Sequence, residues 1–191
     1  MTNGEVTTKG EFKKLRADLA ARKRKLTKIF WAIGILLLLA FLVYVIILVS
    51  GSRNRNLPGE LIPDQGREHV TGTHPAYNSN PPTSGWHNPA PAEWGVYKEE
   101  LPDEVLIHNL EHGGVWISYR PGIPEDIRKK LESFYNKYGR KIIVEPRSKN
   151  DADIVLAAWN RLDKFSAADY SDGRVELFIK AFRNRGPEFV P

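Results

Sequence analysis

The chain has 191 residues, with five histidines, no cysteine and a single methionine, Met1. Disulfide scaffolds, thiolate zinc fingers, iron–sulfur sites and cysteine nucleophiles are thereby excluded, and a copper site with a sulfur ligand would need that sulfur from a partner. The net charge is +5, but residues 1–28 hold nine Lys/Arg and three acids, a net +6. Residues 29–49 are uncharged, and the remainder holds 19 basic and 20 acidic residues, a net −1. The excess belongs to a short arm, so no phosphate-binding face and no nucleic-acid partner is expected.

Residues 1–28 form this basic arm. Glu11–Lys28 reads as an amphipathic helix with Phe12, Leu15, Leu19 and Leu26 on one side. It suits either a topology signal or contact with anionic headgroups. The run IFWAIGILLLLAFLVYVIILV, Ile29–Val49, follows. As a helix it spans about 31 Å, the thickness of a bilayer's hydrocarbon core. A cleaved signal peptide has a shorter apolar core and a small-x-small site, and Leu48-Val49-Ser50-Gly51 is a poor one. The expectation is an uncleaved single-pass anchor in the cell membrane, lipid-contacting over residues 29–49. The basic flank places the N-terminus in the cytoplasm and residues 50–191 outside it.

Residues 50–66, polar with Gly and Pro, read as a linker, and residues 67–191 as the extracytoplasmic domain. Eight of the thirteen prolines lie between Pro58 and Pro102, which excludes a helix or a central strand there. Tyr77, Trp86, Trp94 and Tyr97 mark the stretch as an ordered irregular wrap rather than a disordered tail. Gly114–Arg120 reads as a strand with Val115, Ile117 and Tyr119 on one face. Pro124–Tyr138 reads as a helix with an Ile127, Leu131, Phe134 and Tyr138 stripe, stopped by Gly139. Lys141–Glu145 and Ile154–Leu162 read as strands. A last helix, capped by Ser171 or Asp172, runs through Arg183 with Val175, Phe178, Ile179 and Phe182 inward. The fold class is α+β: one transmembrane helix, then a small, mostly antiparallel sheet with helices and a proline-rich wrap.

All five histidines fall within residues 69–112, and imidazole is the commonest metal ligand. The densest piece, LIHNLEHGG, contains His108-Asn109-Leu110-Glu111-His112, formally the inverted zinc-protease pattern H-x-x-E-H. On a helix, with Pro102 at its start and Gly113 at its end, His108 and His112 share a face and reach one ion. On a straight strand they stand about 13 Å apart, and a hairpin would reunite them; local signals leave these three open. Glu111 beside them suits a general base holding a water. A third ligand could come from Glu176 or Glu188, with nothing in the spacing to choose. Upstream, His74 and His87 flank a loop of turn formers and hydrogen-bonding groups, Tyr77–Gly85. Ser84 near His87 lacks the strand–turn–helix setting of a serine hydrolase.

The segments HPAYNSNPPTSGWHNPAPAEWGVY (His74–Tyr97), LPDEVLIHNLEHGGVWISYRP (Leu101–Pro121) and FRNRGPE (Phe182–Glu188) resemble a bacterial membrane-anchored family known only as a domain of unknown function. The resemblance runs in order over about residues 67–190. It implies a cell-envelope protein with one N-terminal span, and no particular activity, cofactor or catalytic residue. Trp86 stands where that family's loop is expected to carry proline.

Three functions follow as expectations. The first is a divalent-metal binder, Zn²⁺ or Cu²⁺, using His108 and His112 with His74 or His87 and with Glu111 close by. The second is a metal-free envelope module whose proline–aromatic wrap recognises a partner protein or cell-wall polymer. The third is a metal-dependent hydrolase with Glu111 as base. Whether the protein is an enzyme is left open.

Overall fold

The computed structural model describes residues 9–55 and 57–190, with side-chain surroundings for 10–48 and 57–190. It divides into two units, Met1–Asn56 and Leu57–Pro191. Among the described residues the first is a single helix, α1 (Lys9–Arg55), in which residues 9–28 of the basic arm and the apolar run continue without a break. The side chains described along it are exposed. It has the length and composition of a membrane span, properties that a signal sequence shares.

The second unit is an α+β fold on a six-stranded sheet. In chain order its elements are β1 (Glu60–Leu61), β2 (Gly95–Val96), α2 (Asp103–Glu111), β3 (Val115–Tyr119), α3 (Glu125–Tyr138), β4 (Ile142–Pro146), β5 (Ile154–Ala158), β6 (Arg161–Phe165) and α4 (Asp172–Phe182). The strand order is β1-β6-β5-β3-β4-β2.

The sheet is mixed, which corrects the antiparallel expectation in part. β3 pairs with β5, β5 with β6 and β1 with β6 antiparallel, but β4 lies parallel to both β3 and β2. The reason is α3, which crosses over between β3 and β4 and returns the chain in the same direction. The apolar run Ile154–Leu162 is also not one strand. It turns at Trp159-Asn160, where Asn160 takes φ 58°, a left-handed conformation that asparagine tolerates, and β6 pairs back on β5. Part of the expected linker belongs to the domain: β1 pairs with β6, and Ile62 is buried against Leu106 and Trp116.

Alternation along β3 sorts the core onto two faces. Val115, Ile117 and Tyr119 join Leu131 and Phe134 of α3 and Val175, Phe178, Ile179 and Phe182 of α4. Trp116 faces the other way, onto Leu106 and Leu110 of α2. Each such fully buried side chain contributes about 1.5–3 kcal/mol. Ser171 caps α4 by accepting the Arg174 N–H, and Gly139 ends α3 at φ 64°. The sheet is therefore a plate with α3 and α4 below and α2, with its proline-rich surround, above. All five histidines lie on α2 or in that surround.

Candidate metal centre

LIHNLEHGG is helical up to Glu111. Asp103 and Glu104 occupy the first turn of α2, behind Pro102 as cap residue, where carboxylates meet the positive end of the helix. His112 is the cap at the other end. Gly113 follows at φ 78°, and the Gly113 and Gly114 N–H groups return to the carbonyls of Leu110 and Asn109. This double closure is a Schellman motif, which needs a residue without a Cβ penalty at the left-handed position. His108, Glu111 and His112 thus share one face at spacings of three and four.

Two residues fasten the surround to α2. The Asn109 side chain accepts from the Ala92 N–H and donates to the Ala92 carbonyl, both at 2.9 Å. Buried Arg147, just after β4, donates to both Asp103 carboxylate oxygens at 2.9 and 2.8 Å and to Asn80 Oδ1 at 2.7 Å. Most polar side chains of the loop Tyr77–Gly85 bond to the surrounding frame, while the buried Thr83 hydroxyl has no partner among the described residues. Tyr77 donates to the Trp86 carbonyl, Asn78 to Pro63, Asn80 to Lys149, and Ser84 Oγ accepts the Gln65 N–H.

The chain then lays His69 alongside His87. The Val70 N–H donates to the His87 carbonyl at 2.8 Å and the His87 N–H to the Glu68 carbonyl at 3.0 Å, an isolated parallel bridge. Both rings point at α2. His87 Nε2 stands 3.0 Å and His69 Nε2 3.4 Å from Glu111 Oε2. The rings of His69 and His108 stack with centroids 4.9 Å apart. His108 Nε2 is 3.1 Å from His112 Nε2, and His112 Nε2 is 3.4 Å from Glu188 Oε2. Among the described residues this yields two overlapping donor groups, His69/His87/His108/Glu111 and His108/Glu111/His112/Glu188. In each group, one ligand atom per residue lies within 4.8 Å of all the others.

The tautomers follow from what surrounds each ring. His87 Nδ1 faces the Gly85 carbonyl and His108 Nδ1 the Asn88 carbonyl, each at 2.7 Å. A carbonyl only accepts, so both Nδ1 atoms carry the proton, and a neutral ring then turns a bare Nε2 inward. Backbone carbonyls set metal-binding imidazoles in this way. Burial pushes the His108 pKa down, and the imidazoles of His112, His87 and His69 add to this against the Asn88 hydrogen bond, so the neutral, ligating form is favoured. Glu111, 3 % exposed, sits against these nitrogens; its nearest guanidinium, on Arg67, is 4.0 Å away. A buried carboxylate against these nitrogens calls for a positive charge beside it, either a proton on an imidazole or a bound cation. Donors held about 2.0–2.1 Å from one tetrahedral ion lie roughly 3.3 Å apart, close to the separations found here.

Of the sequence-derived candidates, His87, His108, Glu111 and His112 come together. His74 does not. Its Nδ1 donates to the Pro75 carbonyl, its Nε2 pairs with Glu104 at 3.3 Å, and its ring lies beside Tyr77 and Trp86. Glu176 is occupied by Lys137 and Lys180 on an exposed face, which leaves Glu188 as the more distant carboxylate at the centre. His69 is the residue that sequence reasoning did not single out; its only signal was membership of the histidine window.

Fold and site together define a class: an α+β domain carrying a half-buried histidine–carboxylate centre, preceded by a long apolar helix. Residues 69–190 match the family described as Protein of unknown function (DUF3105), and the chain belongs to that family. No curated protein and no solved structure matches the chain.

Proposed function

We propose that the protein is a membrane-anchored, extracytoplasmic module that binds a divalent cation, Zn²⁺ or Cu²⁺, through His69, His87, His108 and Glu111. One observation carries this reading. The Nδ1 protons of His87 and His108 are committed to backbone carbonyls, so each ring, when neutral, presents a bare Nε2 within 4.8 Å of a Glu111 oxygen. Nitrogen and oxygen donors without sulfur suit these two ions. Glu111 has a ligand's place rather than that of a free base, because the Nε2 atoms of His69 and His87 stand 3.4 and 3.0 Å from its Oε2. A metal-free recognition surface on the proline–aromatic wrap draws less support, since most polar side chains of its Tyr77–Gly85 loop bond within the domain. Anchoring rests on the apolar run within α1 and on the basic arm before it, which the positive-inside bias keeps in the cytoplasm.

The test is elemental analysis of the full chain purified in detergent, with His87→Ala, His108→Ala and His74→Ala beside the parent. The parent and His74→Ala should hold the same metal per chain, and the other two should hold less. A metal-free parent whose melting temperature does not move with added Zn²⁺ or Cu²⁺ would sink the reading. Reporter fusions at either end of the chain test the orientation.

A further inference from the structure

We infer that the centre holds two divalent cations bridged by the Glu111 carboxylate, a step that rests on the metal-binding reading above. Six side chains converge here, His69, His87, His108, Glu111, His112 and Glu188, whereas a closed tetrahedral site uses four ligands. The short separations sort them into two sets. His69 and His87 each approach Glu111 Oε2, at 3.4 and 3.0 Å. His112 approaches His108 at 3.1 Å and Glu188 at 3.4 Å.

His108 and Glu111 belong to both donor groups, but they can be shared in different ways. His108 has one free nitrogen, because Nδ1 is committed to the Asn88 carbonyl, and one lone pair serves one ion. Glu111 has two oxygens. With two ions, His108 passes from the four-residue set proposed above to its nearer nitrogen neighbour, His112, and each donor atom is then used once. One ion takes His69, His87 and a Glu111 oxygen. The other takes His108, His112, Glu188 and the second Glu111 oxygen. Carboxylate-bridged ions of this kind sit about 3.5–4 Å apart. The His112 side of the centre opens onto a cleft of about 250 Å³ that Trp94 and Arg140 also line, whereas the first ion, with three protein ligands, keeps the open fourth position.

Glu188 arrives from far along the chain. The Asn184 N–H donates to the Gly113 carbonyl and the Glu188 N–H to the Glu111 carbonyl, at 2.8 and 3.1 Å, so the segment after α4 is strapped across the end of α2. Lys141 Nζ holds its far end by donating to the Val190 carbonyl at 2.6 Å. The second set is thus a built position.

The experiment counts ions and asks whether they touch. The full chain in detergent is stripped with chelator, dialysed against Zn²⁺ and analysed for zinc per chain; a second portion is loaded with Cu²⁺ for electron paramagnetic resonance. Two zinc ions per chain are expected, with a half-field copper signal from a coupled pair. Glu188→Gln combined with His112→Ala should reduce the count to one and abolish the half-field signal. His69→Ala combined with His87→Ala should do the same, with near-UV circular dichroism checking that both variants fold. Glu188→Gln alone, at an exposed carboxylate, should weaken the second ion and keep the first. One ion per chain, or two without coupling, overturns the two-ion centre and leaves the metal-binding reading standing. No ion in the parent overturns both.

Discussion

Gly186 sits where the strap crosses α2, and replacing it with alanine is the most direct test of that geometry. A Cβ at this position would lie 2.0 Å from the Glu111 carbonyl oxygen and 2.2 Å from the Gly113 nitrogen. Both are backbone atoms, and neither can rotate aside. Ordinary contact begins near 3.4 Å, so the strap must lift by more than an ångström. Lifting breaks the Asn184–Gly113 and Glu188–Glu111 backbone hydrogen bonds, worth about 1 kcal/mol each. Any overpacking that stays unrelieved costs about 1–3 kcal/mol more. Gly186→Ala should therefore destabilise the domain by about 2–5 kcal/mol and draw Glu188 away from His112. Thermal unfolding followed by near-UV circular dichroism reads the first effect, since Trp86, Trp94, Trp116 and Trp159 all lie in the domain. Metal content of the same preparations reads the second. Gly173→Ala is the control. Gly173 has open space around it in the first turn of α4, and alanine there should be neutral or stabilising by up to about 1 kcal/mol. A Gly186→Ala protein that melts with the parent and holds the same metal would refute the strap.

Glu145 predicts a pH dependence. It is buried, accepting the Leu101 N–H and the Trp116 indole N–H at 2.8 and 3.0 Å, and burial pushes its pKa from 4.5 up to about 8. The folded protein keeps this proton where the unfolded chain releases it, so stability is full below pH 4.5 and falls as pH rises through 8, with an upper bound on the order of 5 kcal/mol. Urea unfolding from pH 5.5 to 9 should show the decline, and Glu145→Gln should flatten it; an unchanged slope in the variant assigns the proton elsewhere. Arg147→Met removes the bidentate partner of Asp103, which is 14 % exposed, and should cost about 3–5 kcal/mol. Adding Asp103→Leu should recover part of this, and strictly additive losses in unfolding free energy would contradict a direct pair.

Local pattern was enough for α3, α4 and the faces of β3. Ile127, Leu131, Phe134 and Tyr138, and Val175, Phe178, Ile179 and Phe182, recur at helical spacing, and that spacing alone dictates which side is apolar. The same holds for the pair at the heart of the site: once α2 is helical, His108 and His112 must share a face. That α2 is helical was not local information. Helix, strand and hairpin each suited LIHNLEHGG, and burial of Leu106 and Leu110 against Trp116 chose among them.

Distant pairings decided the rest. β4 runs parallel to β3, β1 joins β6 from within the apparent linker, and Trp159-Asn160 folds one apolar run into two strands; each is a backbone pairing that short-range periodicity does not encode. His69 reaches Glu111 because a backbone bridge lays it beside His87, and Glu188 reaches His112 because Gly186 and Gly113 let two chain segments touch. His74, equally conspicuous in the sequence, was drawn instead to Glu104. Residue types and spacings thus marked a histidine–carboxylate cluster that could hold a metal. Which side chains meet was set by hydrogen bonds between segments far apart along the chain, because only the packed fold brings such segments within bonding distance.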